Sequence, residues 1–215
     1  MKTAIINLSP RTSGTSAMLA NLCAASLAAG VIDLYPNLKR PEVILEKIEE
    51  SDTVILSGPC YVDSYPADTV YLLEQIKEHS DILHGQNLYG IIQGGMPYVH
   101  THESGLKMLQ LFCRDCNLNY KGGFVLGMGA MLDGKPLSKL PNAKKAEKAF
   151  AEFLHHIKIG EESPAKLYYE AQAKIPVLMC RYLSHRMNKT IDKDLKKRGI
   201  DYRQPSPYYK TPIIS

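Results

Sequence analysis

The chain has 215 residues, 45% of them hydrophobic and 22% charged, which suits one soluble globular domain with or without an extension. No apolar run reaches the roughly eighteen residues of a spanning helix, and the N-terminus enters strand-like sequence without a signal-peptide pattern, so a cytoplasmic protein is expected. Five scattered cysteines argue against a disulfide framework, and the net charge of +4 is uneven: eleven Lys/Arg against six Asp/Glu from Gly160 onward give the tail +5 and leave the body at −1.

Thr3 to Leu8 is an apolar run expected to form a buried first strand. Ser9-Pro10-Arg11-Thr12-Ser13-Gly14-Thr15-Ser16 follows, with five hydroxyl residues, one arginine and one glycine in eight positions. Ala17 to Ala29 then reads as a helix with Met18, Leu19, Leu22 and Cys23 at helical spacing. Strand, polar loop and helix N-terminus in that order aim unpaired backbone N–H groups at one spot, where the helix dipole also favours an anion. Ser9, Ser13, Thr15 and Ser16 can add hydroxyl donors, and Arg11 can clamp two oxygens. A phosphate monoester is the expected ligand. A helix N-cap would explain one such hydroxyl, not four with an arginine.

Further along, Gly30 is an expected C-cap and Val31–Tyr35 a short strand closed by Pro36. Pro41 suits a helix start, with Val43, Ile44, Leu45 and Ile48 forming its apolar face up to Glu50. Thr53–Ser57 reads as a buried strand ending in Gly58-Pro59, Cys60–Pro66 as a loop, and Ala67–His79 as a helix. Leu88–Gln93 is the fourth strand, ending in Gly94-Gly95. A helix is expected from about Thr101 to Asn117, a fifth strand at Gly123–Gly127, and the last helix of the body at Lys144–Ile157. Apolar strands alternating with helices imply a parallel sheet covered on both faces. In such a sheet ligands bind beyond the carboxyl ends of the strands, where strand order reverses. Ser9–Ser16, Gly58–Pro66 and Gln93–Tyr98 would enclose one cleft if strands one, three and four are neighbours.

These three segments together resemble the NAD(P)H-dependent FMN reductase branch of the flavodoxin-like superfamily. Ser9-Pro10-Arg11 with Ser13-Gly14-Thr15-Ser16 is similar to that family's phosphate loop, approximately G-S-P-R-x-x-G-N-T. Gly58-Pro59-Cys60-Tyr61 with Ser64-Tyr65-Pro66-Ala67 is similar to its S-P-x-Y…S-x-P-A segment, which wraps the isoalloxazine ring, and Gln93-Gly94-Gly95 stands where the family has a T-G-G-like turn. The resemblance spans roughly residues 1 to 130. It implies an α/β, flavodoxin-like, doubly wound five-stranded parallel sheet of order 2-1-3-4-5 at residues 1–160, followed by a helical, basic C-terminal extension at 161–215. Ser9, Arg11, Ser13, Thr15 and Ser16 would hold the FMN phosphate. Pro59, Cys60, Tyr61 and Val62 would lie along the ring, and Gln93, Gly94 and Gly95 would close its pyrimidine side. The flavin carries the hydride chemistry, so no catalytic side chain is required. The sequence departs from the family in two places: Thr15 and Ser16 replace the loop asparagine, and the helix after Pro66 lacks the usual lysine, phenylalanine and Asp-Arg pair.

Cys113-Arg114-Asp115-Cys116 is a C-x-x-C, but a cluster or structural zinc needs four ligands and no second pair is near, so two half-buried helix cysteines and no metal are expected. For Cys60 a backbone role is favoured over its thiol. His100 and His102 are pocket-lining candidates, with exposed loop histidines an equal alternative. In the tail, Ser163-Pro164 starts a helix with Leu167, Ala171 and Ile175 on one face. Pro176 interrupts or restarts it, and Val177, Leu178, Met179, Tyr182 and Leu183 continue the stripe. Lys189–Arg198 is basic and Tyr202–Tyr209 is rich in proline and tyrosine. Asp192, Asp194 and Asp201 interrupt the positive run, which favours an arm packing on the body or across a dimer over a membrane or nucleic-acid surface.

The function expected is an FMN-dependent oxidoreductase that takes a hydride from NAD(P)H and passes electrons to a small-molecule or protein acceptor, as a homo-oligomer. A flavodoxin-type electron carrier is the competing class, although such carriers are short and strongly acidic and this sequence has a pI near 8.7. A non-catalytic flavodoxin-like protein with weak or no FMN affinity is a third. The G-x-x-x-x-G-K-[ST] pattern of a P-loop hydrolase is absent.

Overall fold

The computed structural model describes residues 1–200, so the Tyr202–Tyr209 stretch and Asp201 lie outside the described residues. Five parallel strands, β1 (Thr3–Asn7), β2 (Val31–Asp33), β3 (Thr53–Pro59), β4 (Asn87–Gln93) and β5 (Asn119–Leu126), form one sheet in the order β2-β1-β3-β4-β5. This is the flavodoxin-like sheet expected. Every residue of β1 and β3 is buried, as continuous apolar runs require when helices cover both faces.

Strand order reverses between β1 and β3, since β1 is bracketed by β2 on one side and β3 on the other. The register pairs Asn7 with Asp33 and Ser57, and Pro59 with Gln93. The carboxyl ends of β1, β3 and β4 therefore form a common rim, the position at which an open α/β sheet binds ligands.

The helices of this body are α1 (Thr15–Leu27), the single turn α2 (Leu34–Asn37), α3 (Glu42–Glu49), α4 (Ala67–Glu78), α5 (Glu103–Asp115), α6 (Ala143–Ile159) and α7 (Lys166–Ala171). α1 packs on the sheet through Leu19, Ala20, Cys23 and Ala24, because small alanines allow close approach. Leu22 is exposed instead, and with Met18 it lines a cavity of about 410 Å3 beside Pro136, Leu137 and Phe150. Phe124 of β5 meets Phe150 of α6 edge-on with centroids 5.1 Å apart, and Phe153 fills the space between Phe124 and Tyr89.

Three boundaries differ from the sequence reading. β2 stops at Asp33, because the Asn37 side chain donates to the Asp33 carbonyl (2.8 Å) and turns Leu34–Asn37 into a helical turn. α1 ends on Ala28 in the left-handed conformation, two residues before Gly30. β5 begins at Asn119, four residues early, because an extra residue in β5 between Tyr120 and Gly123, opposite Leu88 to Gly90 of β4, lets the strands pair on both sides of it.

This first unit runs from Met1 to Ala173. Residues past Gly160 belong to it: the Tyr89 hydroxyl donates to the Glu161 carbonyl (2.7 Å), and the Ser163 N–H donates to the Lys121 carbonyl (2.8 Å). A second unit starts at Lys174 and consists, among the described residues, of α8 (Val177–Lys197). Pro176 stands immediately before its first turn, where the missing N–H costs nothing. Leu178, Met179, Tyr182, Leu183 and Met187 are exposed on α8.

Candidate functional site

The loop after β1 is organised by Asn7, a polar residue at the end of an apolar strand. Its side-chain amide donates to the Asp33 carboxylate (2.7 Å), and its carbonyl oxygen accepts from the Ser9 N–H (3.2 Å). The Ser9 hydroxyl accepts from the Arg11 N–H (3.1 Å), so Ser9 holds the turn while being almost fully buried. The chain then enters α1 at Gly14, the N-cap, which supplies no side-chain cap hydrogen bond. The first-turn N–H groups of Thr15, Ser16 and Ala17 have no acceptor within the helix, as at any helix start.

The five expected phosphate ligands divide into two sets. Ser9, Arg11 and Ser13 lie on the loop, with Arg11 and Ser13 exposed. Thr15 and Ser16 are buried and engaged elsewhere. The Thr15 hydroxyl donates to the Gly129 carbonyl (2.8 Å) and accepts from the Gly134 N–H (3.3 Å). The Ser16 hydroxyl accepts from the Gln93 side-chain amide (3.2 Å). These two residues tie α1 to the segment after β5 and to the end of β4.

That segment after β5 is a part of the site that sequence reading missed. Met128, Asp133 and Gly134 all have positive φ (61°, 49° and 82°), which folds the chain back over the loop after β1. Gly134 lies against the Ser13 carbonyl so closely that no Cβ would fit. The Arg11 guanidinium pairs with the Asp133 carboxylate. Hydrogen bonding and charge from Arg11 hold that carboxyl below its usual value. The Asp133-Gly134 dipeptide, a turn signal just past the fifth strand, was the available clue.

On the opposite side of the rim, Pro59 ends β3 and Cys60 donates its backbone N–H to the Gln93 carbonyl (2.6 Å). The half-buried Cys60 thiol points to the Thr101 carbonyl (3.8 Å), and burial, then the Asp63 carboxylate, push its pKa up. Tyr61 and Ser64 exchange backbone hydrogen bonds across a tight turn whose central residues, Val62 and Asp63, have φ of 50° and 65°. A β-branched residue there is an outlier, and Val62 is 98% exposed at the tip. Tyr65 anchors the loop: its buried ring fills space left by Gly58 and Gly105, and its hydroxyl donates to the Ile91 carbonyl (3.0 Å).

Gln93 is buried, its amide oxygen unpartnered beside Gly129. Gly94 is packed directly on the His102 ring, whereas a Cβ on Gly95 would meet only the Ala130 Cβ, at 3.7 Å. His102 is therefore neither pocket-lining nor exposed: it is buried with Nε2 near the Met96 carbonyl (3.1 Å), while His100 is exposed and stacks on Tyr98. Cys113 and Cys116 are buried at the end of α5, and no group of three or more His, Cys, Asp or Glu suited to a metal occurs among the described residues.

Neither a protein-family model nor a curated protein sequence matches the chain. Solved structures do. An NADPH-quinone reductase from P. pentosaceus superposes with a TM-score of 0.56 at 16% identity, covering 73% of this chain and 97% of that one. General stress protein 14 from Treponema denticola, in complex with FMN, gives 0.55 at 16% identity over 73% and 99%. An FMN-dependent NADH-azoreductase from Bacillus anthracis, in complex with FMN, gives 0.52 at 17% identity over 72% and 100%. At such identities the likeness defines the fold: this is a flavodoxin-like α/β protein. Its structural neighbours include reductases named for FMN and for nicotinamide cofactors, in keeping with the resemblance carried by the three loops.

Proposed function

We propose that the chain is an FMN-dependent oxidoreductase that draws reducing equivalents from NAD(P)H and delivers them to a small-molecule or protein acceptor. The observation that carries this is the convergence of three loops, Ser9–Ser16, Pro59–Tyr65 and Gln93–Gly95, on one rim at the point where strand order reverses. The loop after β1 fits a phosphate in chemistry, because Arg11 there already pairs with a carboxylate oxygen. Ser9, Arg11, Ser13 and the open N-terminus of α1 would take the phosphate. Thr15 and Ser16 would support that loop from below. Pro59, Cys60, Tyr61 and Val62 would lie along the flavin ring, and Gln93, Gly94 and Gly95 would close its edge. Bound FMN would supply the hydride and electron chemistry. The protein's task is to bind, orient and shield, and the raised pKa of Cys60 keeps an uncharged thiol at the ring loop.

A homo-oligomeric, cytoplasmic protein goes with this proposal; Val70 and Tyr71 on α4 offer exposed apolar contacts for a second copy. The Arg11–Asp133 pair favours one alternative, a flavodoxin-like protein with weak FMN affinity. Fluorescence quenching of FMN by purified protein separates the two. Micromolar binding followed by anaerobic bleaching with NADH or NADPH is the expected result. Binding without bleaching by either nucleotide points to a carrier, and no binding at micromolar protein overturns the proposal.

A further inference from the structure

The loop between β5 and α6 places a carboxylate on Arg11, the residue proposed above to take the ligand's phosphate. Four contacts hold it there. The Arg11 guanidinium pairs with Asp133; the Thr15 hydroxyl donates to the Gly129 carbonyl at 2.8 Å; the Gly134 N–H donates back to the Thr15 hydroxyl at 3.3 Å; and Gly134 rests on the Ser13 carbonyl. Asp133 and Gly134 adopt left-handed backbone, and in these two residues the chain reverses so that the exposed carboxylate meets the exposed Arg11 guanidinium. Beneath them the amide oxygen of Gln93 is buried without a hydrogen-bond partner, facing Gly129.

We propose that Asp133 is a specificity-determining residue of this site: its carboxylate competes for Arg11 with the phosphate of an incoming ligand, so the β5–α6 loop must leave Arg11 before a phosphate monoester is bound. The proposal rests on the flavin reading above. A phosphate brought to Arg11 meets a like charge at hydrogen-bond range of the same guanidinium, and like charges at such distances oppose binding. An uncharged ligand that uses only Pro59–Val62 and Gln93–Gly95 meets no such opposition. Asp133 thus lowers the advantage that a phosphorylated flavin would otherwise hold over its unphosphorylated form.

The test compares FMN and riboflavin binding to the full chain and to Asp133→Asn, by quenching of flavin fluorescence. Asparagine tolerates left-handed backbone, so the turn survives the change. The expected result is FMN affinity about twofold to fivefold tighter in the variant, with riboflavin unchanged. Amide hydrogen exchange over residues 129–135 gives a second readout: saturating FMN should speed exchange in the unmodified chain, and riboflavin should not. Unchanged FMN affinity in Asp133→Asn overturns the proposal. So does equal tightening of both flavins, which would mean that the loop merely obstructs the site. If FMN and riboflavin bind the unmodified chain equally, with Asp133→Asn without effect, the ring site stands and competition at Arg11 falls. Failure of both proteins to bind either flavin removes the flavin reading itself, and this proposal with it.

Discussion

Individual side chains at the rim owe their roles to what they touch more than to their type. Ser9, Thr15 and Ser16 are all hydroxyl residues of one loop, yet Ser9 closes the turn, Thr15 bridges to the segment after β5, and Ser16 meets Gln93. Their positions in a polar segment after an apolar strand were legible in the sequence. Their inward orientation was not, because it depends on Gly129 and Gln93, residues distant in the chain. Burial also sets a pH response. The Cys23 thiol, enclosed by α1 and the sheet, is pushed up to about 12 by desolvation. Tyr65 is raised in the same direction for the same reason. In the unfolded chain Cys23 ionises near 9, its ordinary value, while in the folded chain it stays protonated. Its contribution is constant below that pH, and stability falls as pH rises from there towards 12, by about 1.4 kcal/mol per pH unit at most for the one group. Urea midpoints measured between pH 8 and 11 should decline, and Cys23→Ala should give a shallower decline whatever its midpoint at pH 8.

Among the elements, β3 and the loop that follows it depend on missing side chains. Gly58 leaves room for the Tyr65 ring, and a Cβ on Gly58 would stand 2.7 Å from that ring and 3.1 Å from the Leu8 Cβ. Gly58→Ala should therefore cost about 1–3 kcal/mol through overpacking, read as a lower urea midpoint. It should also weaken FMN, because the displaced Tyr65 is the anchor of the Tyr61–Ser64 turn. Gly58-Pro59 was readable as a strand end, but the reason for the glycine was not, since Tyr65 reaches it from the far side of the turn. The end of β2 was misjudged for a comparable reason: Val31–Tyr35 has a strand's composition, and the Asn37 side chain overrides it.

For the molecule as a whole, alternating apolar runs and helices were enough to give a parallel sheet, and the three loop motifs were enough to give its order. What the pattern could not supply was the β5–α6 loop, whose left-handed residues carry no hydrophobic period. The compact unit Met1–Ala173 contains the entire sheet, the three loops, and Glu161 and Ser163, which bond to Tyr89 of β4 and Lys121 of β5. A chain ending at Ala173 should fold, with a Tm within a few degrees of the full chain and the same flavin affinity. A chain ending at Gly160 should be less stable than either, having lost the Glu161 and Ser163 bonds and the buried side chains of α7. Differential scanning calorimetry of the three lengths checks this.

The contacts that join the loop after β1 to the β5–α6 loop link residues 114 and 122 positions apart. Closing so long a loop is entropically slow, so these contacts form only after β5 has docked. During synthesis the first strand, its loop and α1 leave the ribosome early and wait for the second half of the chain. In that interval Arg11 stands without the Asp133 carboxylate that it pairs with in the finished fold.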